Sequence, residues 1–538
     1  MPLFAAFLDI IRRCPAPAFA ISCAGLTALA WSNRFIQDDA YILMQYASNL
    51  VHGQGLIWLP GERVEGYTTF LWTLILAIPI ALGIDPVAFA YGAGLVCFAG
   101  TLAVAWSLAT ETTGSRSVAL LAIVLLGTNF TFSAYATGGL ETQLQAICVT
   151  GFFALALPPL AGGRPGAGRL VALSLAGAMA LLTRLDSALL IAPPALAVAI
   201  ALVRGRRPGE AARGLAALTL PALVIVGAWV VWKVGYYGDL LPHTFYIKAG
   251  GITSPMRGVR YVWEFLTSYA FLPFALGIVV AAGALAKRIR GCVWMLAAVV
   301  MWVAYIIRVG GDFMEYRMFV PILPLMAILA AHMIASLTPR AARVALVAVW
   351  LAASTGHALL FRIEMDTESI GMLHGHVADP QQGWVLAGTR LGEEFGPVRD
   401  SILAATMAAG AITYHSRLTT LDMYGLMDRW VARNGLVQSS TKPGHQRVAT
   451  LEYLLRRRVN LVIGHPIIIP RTDEAPALGV ADFVPTAGRE DLIPPDARLI
   501  EIPLRQEYSL TVLYLVRSPA IDALIARRGL RTAPIVRP

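Results

Sequence analysis

Long apolar runs recur along the first two thirds of the chain, and they constrain its fold more than any other feature. A helix needs roughly 17 to 25 apolar residues to cross a bilayer, and twelve runs near that length lie between about Pro17 and Phe361. Only 14% of the 538 residues are charged, against about 25% in soluble domains. The sequence therefore predicts an α-helical polytopic membrane protein. The runs lie near 17–34, 69–84, 87–110, 117–134, 140–157, 168–183, 185–203, 214–236, 268–286, 292–309, 318–337 and 342–361.

The charges between these runs separate by sign. The basic intervals contain Arg12, Arg13, Arg164, Arg169 and the segments 204–213, 287–290 and 340–343. The other intervals carry nearly all the acids of this part of the chain, namely Asp38, Asp39, Glu62, Glu65, Glu141, Asp186, Asp239, Glu264, Asp312 and Glu315. Basic loops remain on the cytoplasmic side of a membrane, so the acidic intervals are predicted to face the periplasm or the cell exterior.

This charge pattern places the N-terminus inside and the C-terminal tail outside, which requires an odd number of spans. We therefore predict eleven spans. One early run, 69–84 or 117–134, is predicted to be short, broken or interfacial, because the charge parity fails between Glu65 and Glu141. The first run is predicted to be a span and not a signal peptide, since no A-x-A-like site follows it cleanly.

The predicted domains are a membrane part at 1–361, with a first external loop at about 35–68, and a soluble α/β domain at 362–538. Apolar runs in the tail are too short to span, and "LEYLLRRRVNLVIG" and "YSLTVLYLVR" have the patterns of a helix with a strand and of a strand. The tail carries 20 Lys/Arg and 19 Asp/Glu. The net charge of +10 therefore belongs to the membrane part, and a nucleic-acid partner is not expected. No disulfide or CxxC metal framework is expected from the five cysteines.

Five polar clusters interrupt the membrane part on the predicted outer side. Ionisable groups at membrane depth are costly and therefore indicate function. The first cluster is Asp38 and Asp39, followed by an apolar helical pattern and by "GERVEGYT". The other clusters are "YATGGLETQ" at 135–143, "TRLDS" at 183–187, "GDLLPHTFYIKAG" at 238–250 and "GGDFMEYRMFVP" at 310–321.

Acids and cations on one membrane face suggest a site for a ligand with a negative headgroup and a lipid tail. Arg and Lys bind phosphate oxygens, while a carboxylate can take a proton from a hydroxyl. Together they predict transfer of a group from a phospholipid-like carrier to an alcohol. The candidate donor-phosphate ligands are Lys248, Arg317, Arg184 and His243, with Lys248 and Arg317 first. An alternative for Arg184 is a structural ion pair with Asp186.

Seven motifs in order resemble a known family. They are "QDDAYI", "GERVEGYTTFLW", "GLET", "TRLDSAL", "LPHTFYIK", "GGDFMEYRMFVP" and, in the tail, "LDMYGLMDRWVAR" with "PGHQR". This set is similar to the polyprenyl-phosphate-dependent GT-C glycosyltransferases, and more narrowly to the actinobacterial terminal arabinofuranosyltransferases and their Gram-negative relatives. The resemblance covers roughly residues 30 to 450.

The resemblance implies a GT-C fold and a catalytic carboxylate at Asp38 or Asp39, of which we favour Asp39 as the base. It implies a polyprenyl-phosphate sugar donor, D-arabinofuranose first, and a glycan hydroxyl as acceptor outside the bacterial cytoplasmic membrane. Further candidate donor-binding residues are Asp312, Glu141, Glu65 and Tyr67. Candidate acceptor-binding residues in the tail are Asp422, Tyr424, Asp428 and His445, with a structural turn and helix-capping acids as the alternative for the two aspartates.

Other functions are compatible with the same residues. The related alternative is transfer of a hexose or aminoarabinose to lipopolysaccharide, a surface polysaccharide or a pilin. A transporter of lipid-linked sugars is a distant alternative, because no internal repeat is present and the polar clusters lie at the ends of spans. No cofactor is expected, although an Asp pair leaves a divalent metal open.

Overall fold

The computed structural model describes residues 15–204, 207–249, 254–278, 283, 291–361, 363–364, 367–438, 442–505 and 507–537. Its membrane part is entirely helical apart from loops. The helices of this part are Pro15–Ser32, Asp38–Val51, Phe70–Ala81, Pro86–Thr113, Arg116–Thr128, Phe130–Ala134, Thr142–Leu160, Ala167–Thr183, Ala188–Val203, Pro208–Tyr237, His243–Ala249, Pro255–Ser268, Cys292–Val309, Leu323–Ser336 and Arg340–Leu360.

Many of these helices are suited to a membrane. Within the described ranges, six are long and apolar enough to cross a bilayer, and a seventh span is possible if a bent pair is counted as one. Five shorter apolar helices accompany them. The chain is therefore a multi-pass membrane protein, and the predicted apolar runs other than 268–286 coincide with its helices. The exact number of eleven spans remains a prediction.

The two early runs that were suspected of being irregular are both short in the structure. Phe70–Ala81 has 12 residues, and Arg116–Thr128 has 13. The second run is broken at Asn129, whose side chain caps the next short helix by accepting a hydrogen bond from Phe132 N at 2.9 Å. One irregular run was predicted, whereas the helices of both runs are short in the structure.

The predicted run at 268–286 needs correction. A helix begins earlier, at Pro255, ends at Ser268, and is followed after a 100° bend by a helix at Leu272–Ile278. The helix Pro255–Ser268 was missed because it is amphipathic and buries polar residues, among them Arg257 and Glu264. A hydropathy pattern alone cannot distinguish such a segment from a solvated loop. Residues 279–282 and 284–286 of the predicted run lie outside the described part.

The first external loop contains the predicted amphipathic helix, Asp38–Val51. Asp38 and Asp39 lie in its first turn, where the partial positive charge of the helix N-terminus favours carboxylates. One face is buried, and Tyr46 on that face donates a hydrogen bond to Val64 O at 2.8 Å. The helix ends at Val51 and is followed by Gly53, with φ +78°. The sequence prediction of this helix is confirmed.

The tail contains an α/β unit, as predicted. Its strands are β1 Ile363–Glu364, β2 Thr367–Glu368, β3 Leu403–Thr406, β4 Thr419–Asp422, β5 Leu436–Val437, β6 Arg447–Val448, β7 Leu461–Pro470, β8 Arg498–Pro503, β9 Tyr508–Tyr514 and β10 Arg531–Pro534. Six of them form a sheet in the order β10-β8-β9-β7-β3-β4. Strands β7, β3 and β4 are parallel, while the remaining pairs of this sheet are antiparallel.

Helices cover the sheet and short helices follow its parallel strands. They are Ile370–Ala378, Trp384–Phe395, Ala411–Ser416, Arg429–Asn434, Leu451–Arg456 and Pro519–Arg528. Separate apolar clusters lie on the two faces, with Leu421 and Val462 in one and Ala404 and Ile463 in the other. The carboxyl ends of β3 and β4 meet at one edge of the sheet, which is where ligands of α/β folds usually bind.

This edge of the tail rests on the first external loop. The helix Ala411–Ser416, which follows β3, packs on the helix Asp38–Val51. Trp58 of the loop donates a hydrogen bond from Nε1 to Thr420 O in β4 at 3.0 Å. The ligand-binding edge of the sheet therefore faces the acidic pair.

The charge-based topology can be tested by thiol labelling. The exposed residues Arg164 and Arg340 lie in predicted cytoplasmic intervals, and the exposed Arg399 lies in the tail. In a variant without the five native cysteines, we expect a membrane-impermeant maleimide to label Arg399→Cys in right-side-out spheroplasts. Arg164→Cys and Arg340→Cys should react only after lysis. Labelling of all three positions before lysis in sealed spheroplasts would contradict this topology.

Candidate active site

A cavity of about 340 Å³ lies between the membrane part and the tail. The membrane part supplies Gln37, Asp38, Asp39, Ile42 and Phe313. The tail supplies Glu368, Leu373, His376, Trp384, Met407, Ala408, Ala409, Asp422, Tyr424, Leu426, Lys442, Pro443, Gly444, His445 and His465. The cavity therefore brings the predicted acidic pair together with three of the four predicted tail residues.

Asp38 is bound to the tail. Its Oδ2 accepts a hydrogen bond from Gly410 N at 2.9 Å, and its Oδ1 accepts one from Ala411 N at 2.7 Å. Loss of hydration raises the pKa of the Asp38 carboxyl to about 7, although the two N–H donors oppose this rise. Both carboxylate oxygens are therefore engaged in a contact between the two parts of the chain.

Asp39 points elsewhere, because successive residues of a helix are rotated by about 100°. Its side chain is partly exposed and lines the cavity. Asp39 also contributes to the negative charge that acts on Arg317. Asp39 thus lines the cavity, and its charge acts on one residue of an ionic group in the membrane part.

The residues of this ionic group come from three of the predicted polar clusters. Arg317 contacts Asp312 at 2.5 Å. Arg184 contacts Glu141 at 2.9 Å and Asp186 at 2.6 Å. The predicted pair of Arg184 with Asp186 therefore exists, but it is part of a larger arrangement that also includes Glu141.

The arginines remain charged in this environment. Burial lowers the pKa of the Arg317 guanidinium, but the carboxylates of Asp312 and Glu141 outweigh it, so its pKa is raised. Each guanidinium presents five N–H donors in a fork. An arginine can therefore hold a carboxylate and still offer donors to a phosphate group.

The loop that carries Asp312 and Arg317 is fixed by residues that the sequence analysis did not select. Arg257 donates hydrogen bonds to the carbonyl oxygens of Gly310 and Asp312, the latter at 3.0 Å. Glu315 contacts His357 at 2.8 Å and accepts a hydrogen bond from Ile370 N at 2.7 Å. Arg257 and His357 lie in helices without a recognisable motif, and only their polarity in a membrane-facing segment could have drawn attention to them.

Three predicted donor-side residues form a separate group. Glu65 contacts the buried Lys233 at 2.6 Å, and its carbonyl accepts a hydrogen bond from His243 N at 2.8 Å. Tyr67 and Tyr237 share a hydroxyl–hydroxyl contact of 3.0 Å. None of these residues lines the cavity as described. Lys233 was not selected from the sequence, although a lysine within a predicted apolar span is itself a signal of function.

Lys248 belongs to the short helix His243–Ala249, but its side chain lies outside the described part of the structure. Its predicted contact with a donor phosphate therefore stays a prediction. Burial lowers the pKa of His243, although Asp239 opposes this effect. A neutral imidazole at this position could donate a hydrogen bond to a phosphate oxygen but would not supply a positive charge.

The tail acids have different positions. Asp422 accepts hydrogen bonds from Tyr424 N and Met427 N, each at 2.9 Å, and burial raises its pKa to about 6. Asp422, Tyr424 and His445 line the cavity. Asp428 instead caps the helix Arg429–Asn434 by accepting from Val431 N at 2.8 Å, does not line the cavity, and is 2% exposed. The capping alternative therefore describes Asp428.

Several tail residues in the cavity were not selected from the sequence. Lys442 contacts Glu368 at 2.6 Å. His376 stacks on Trp384, with ring centroids 5.1 Å apart, and His465 meets Trp384 edge-on at 5.9 Å. These residues come from segments far apart in the chain, so no local motif identifies them.

A metal site would need several ligands close together. Among the described residues, no three His, Cys, Asp or Glu side chains converge as metal ligands would. Cys23, Cys97, Cys148 and Cys292 are free thiols. The described part of the chain therefore offers a carboxylate and arginine site, and it adds no support for a divalent metal.

Sequence comparison links this chain to arabinofuranosyltransferases. It is 28% identical over 357 residues to the terminal β-(1→2)-arabinofuranosyltransferase of Corynebacterium glutamicum, covering 57% of this chain and 49% of that protein. The chain spans about half the length of the curated relatives it matches. Residues 382–514, within the tail, match a domain of unknown function, DUF8728.

Structure comparison covers nearly the whole chain. ArnT from Cupriavidus metallidurans bound to undecaprenyl phosphate has a TM-score of 0.55 and 14% identity, covering 92% of this chain and 97% of that one. AglB from Archaeoglobus fulgidus, with an inhibitory peptide and a dolichol-phosphate, has a TM-score of 0.51 and 11% identity, covering 91% and 73%. The fold is that of the GT-C membrane glycosyltransferases, and the resemblance stated from the sequence motifs is confirmed.

The Lys233–Glu65 pair generates a stability prediction. We expect Glu65→Gln and Lys233→Met each to cost about 3–5 kcal/mol, because each leaves an uncompensated buried charge. The double variant should be more stable than either single variant. Thermal unfolding in detergent measures this effect, with the exposed pair Arg390–Glu393 as control. Glu393→Gln should cost at most about 1 kcal/mol, and equal losses in all variants would contradict the role of burial.

Proposed function

We propose that the protein is a membrane glycosyltransferase that moves D-arabinofuranose from a polyprenyl-phosphate donor to a hydroxyl of an extracytoplasmic glycan. The observation that carries the proposal is the position of Asp39. This carboxylate lines the cavity, and its charge acts on the Arg317 guanidinium. A base that lines an acceptor space near arginine side chains suits transfer from a phosphate to an alcohol.

The proposed donor side is the ionic group around Arg184 and Arg317. ArnT was crystallised with undecaprenyl phosphate, and AglB was solved with a dolichol-phosphate. Both share the fold of this chain. Arginine forks bind phosphate oxygens in bidentate geometry, and preorganised positive charge stabilises a phosphate as it departs. Lys248 and His243 are proposed as further donor ligands at the end of the spanning helix Pro208–Tyr237.

In the proposed reaction, Asp39 accepts the proton of the acceptor hydroxyl. The acceptor oxygen forms a bond to the anomeric carbon of the sugar. The bond between that carbon and the phosphate oxygen breaks, and its electron pair leaves with the lipid phosphate. The positive charge of Arg317 and Arg184 stabilises the negative charge on the leaving phosphate. The protein therefore supplies a base for the acceptor hydroxyl and positive charge for the leaving group.

The proposed acceptor side is the tail wall of the cavity. Trp384, Tyr424 and His445 present aromatic faces there, while Asp422 and Lys442 present polar atoms. Sugar rings have apolar faces and hydroxyl edges, so a wall of this composition fits a glycan. We propose that this wall and the tail lie on the extracytoplasmic side of the bacterial inner membrane, where the acidic intervals of the chain are predicted to face.

The sugar assignment rests on the curated relatives, both of which are terminal β-(1→2)-arabinofuranosyltransferases. The fold is shared with ArnT and AglB at 11–14% identity, which supports the transferase architecture and not a particular sugar. A direct test of the donor is therefore required.

The first test is turnover by the purified protein in nanodiscs. The donors are polyprenyl phosphates of arabinofuranose, mannose, glucose and aminoarabinose, and the acceptor is a short synthetic arabinofuranose oligosaccharide. We expect turnover of the arabinofuranosyl donor, reduced about 10²–10⁴-fold by Asp39→Asn because the base is removed. Asp379→Asn is the control, since this exposed carboxylate only accepts backbone hydrogen bonds from Gln381 and Gln382.

Three outcomes would contradict the proposal in different ways. Turnover of a hexose donor alone, still lost in Asp39→Asn, would retain the mechanism but replace the sugar. Full turnover by Asp39→Asn would remove Asp39 from the chemistry. Transport of a lipid-linked sugar across the bilayer without transfer would support a transporter instead.

The tail wall generates a second kinetic prediction. We expect Trp384→Ala to raise the KM for the oligosaccharide acceptor about three- to tenfold, because an aromatic contact contributes about 0.5–1.5 kcal/mol beyond its area. The KM for the donor should stay unchanged. Trp430→Ala is the matched control, since Trp430 stacks on Tyr453 at 4.0 Å and does not line the cavity. If Trp384→Ala and Trp430→Ala have the same KM for the acceptor, the acceptor binds elsewhere.

A further inference from the structure

Asp38 has a geometry that differs from that of a reacting group. We infer that Asp38 is a positioning residue that fastens the tail to the first external loop and thereby completes the acceptor wall around Asp39. The inference rests on the proposed function for its kinetic arm only. It assigns different tasks to two adjacent aspartates, which the sequence alone presents as equivalent.

The first argument is that both oxygens of the carboxyl group are engaged. Each oxygen of Asp38 accepts one backbone hydrogen bond, from Gly410 N and Ala411 N. A carboxylate that holds two backbone donors in this way must give up this contact to rotate toward a substrate hydroxyl.

The second argument is the fit on the tail side. A Cβ on Gly410 would collide with the backbone carbonyl oxygen and the carboxylate of Asp38. The contact with Asp38 therefore requires glycine at position 410. The requirement is the close approach of the two chain segments.

The third argument is the position of the contact. Gly410 directly follows Met407, Ala408 and Ala409, which line the cavity. The next segment, Ala411–Ser416, packs on the helix that carries Asp39. Detachment of Gly410 from Asp38 would therefore displace one wall of the cavity relative to Asp39 without removing any reacting group.

Hydrogen exchange tests the fastening without reference to activity. We expect amide exchange in residues 407–416 and 38–51 to be about tenfold faster in both Asp38→Ala and Gly410→Ala, because the same contact is lost from either side. Exchange in β8 and β9 should stay unchanged, which shows that the tail remains folded. Matched controls are Asp379→Ala, which removes another carboxylate with two backbone donors, and Gly371→Ala, where a Cβ meets open space.

Kinetics then separate positioning from chemistry. We expect Asp38→Ala and Gly410→Ala to raise the acceptor KM by a similar factor of about ten, with the donor KM unchanged. The double variant should have an acceptor KM no higher than that of the more impaired single variant, since one contact cannot be lost twice. Asp38→Asn should be intermediate, because its amide oxygen can still accept one of the two hydrogen bonds.

Opposite results would overturn the inference. If Asp38→Ala abolishes turnover while exchange in residues 407–416 is unchanged and Gly410→Ala is fully active, Asp38 acts in the chemistry. If exchange is unchanged in both variants, the contact does not fasten the tail. If the wild-type protein turns over none of the donors, the proposed function fails, whereas the exchange experiment still decides the role of Asp38.

Discussion

The hydrogen bonds from Gly410 N and Ala411 N to the carboxylate of Asp38 join the tail to the membrane part beside the cavity. The bonds of Trp58 to Thr420 O and of Ile370 N to Glu315 are further contacts between the two parts. The contact at Asp38 places the segment that follows β3 on the first external loop. The cavity and its mixed lining of acids, aromatic rings and Lys442 lie at this junction.

Within the membrane part, the buried charged side chains are the feature with the largest cost in free energy. Arg184, Arg317 and their carboxylate partners would be unfavourable at this depth if each were isolated. They occur as two ion-paired sets, Arg184 with Glu141 and Asp186, and Arg317 with Asp312, with contacts of 2.5–2.9 Å. Such a set is stable without a ligand and still offers arginine N–H donors to one, which suits a site that must bind and release a phosphate.

The sequence alone was enough to predict the features that arise from periodic apolar residues or from polar residues close together in the chain. Apolar runs located the helices, and the adjacent acids Asp38 and Asp39 marked the position of the cavity. It could not locate partners brought together by the fold, such as Trp384 for the cavity, because nothing in the neighbourhood of Trp384 distinguishes it. Lys233 was detectable as a charge within an apolar run, but its pairing with Glu65 follows only from the fold. The sequence also could not separate Asp38 from Asp39, since their difference arises from Gly410, which is 372 positions from Asp38 in the chain.

The cavity is lined by two different parts of the chain, and this has an evolutionary consequence. The proposed base and the ionic group belong to the membrane part, while most of the proposed acceptor wall belongs to the tail. Substitutions or replacement of the tail could therefore change which glycan fits without altering the transfer chemistry, provided that a residue without a side chain remains opposite Asp38. The fold thus allows the recognition surface to diversify faster than the reaction centre.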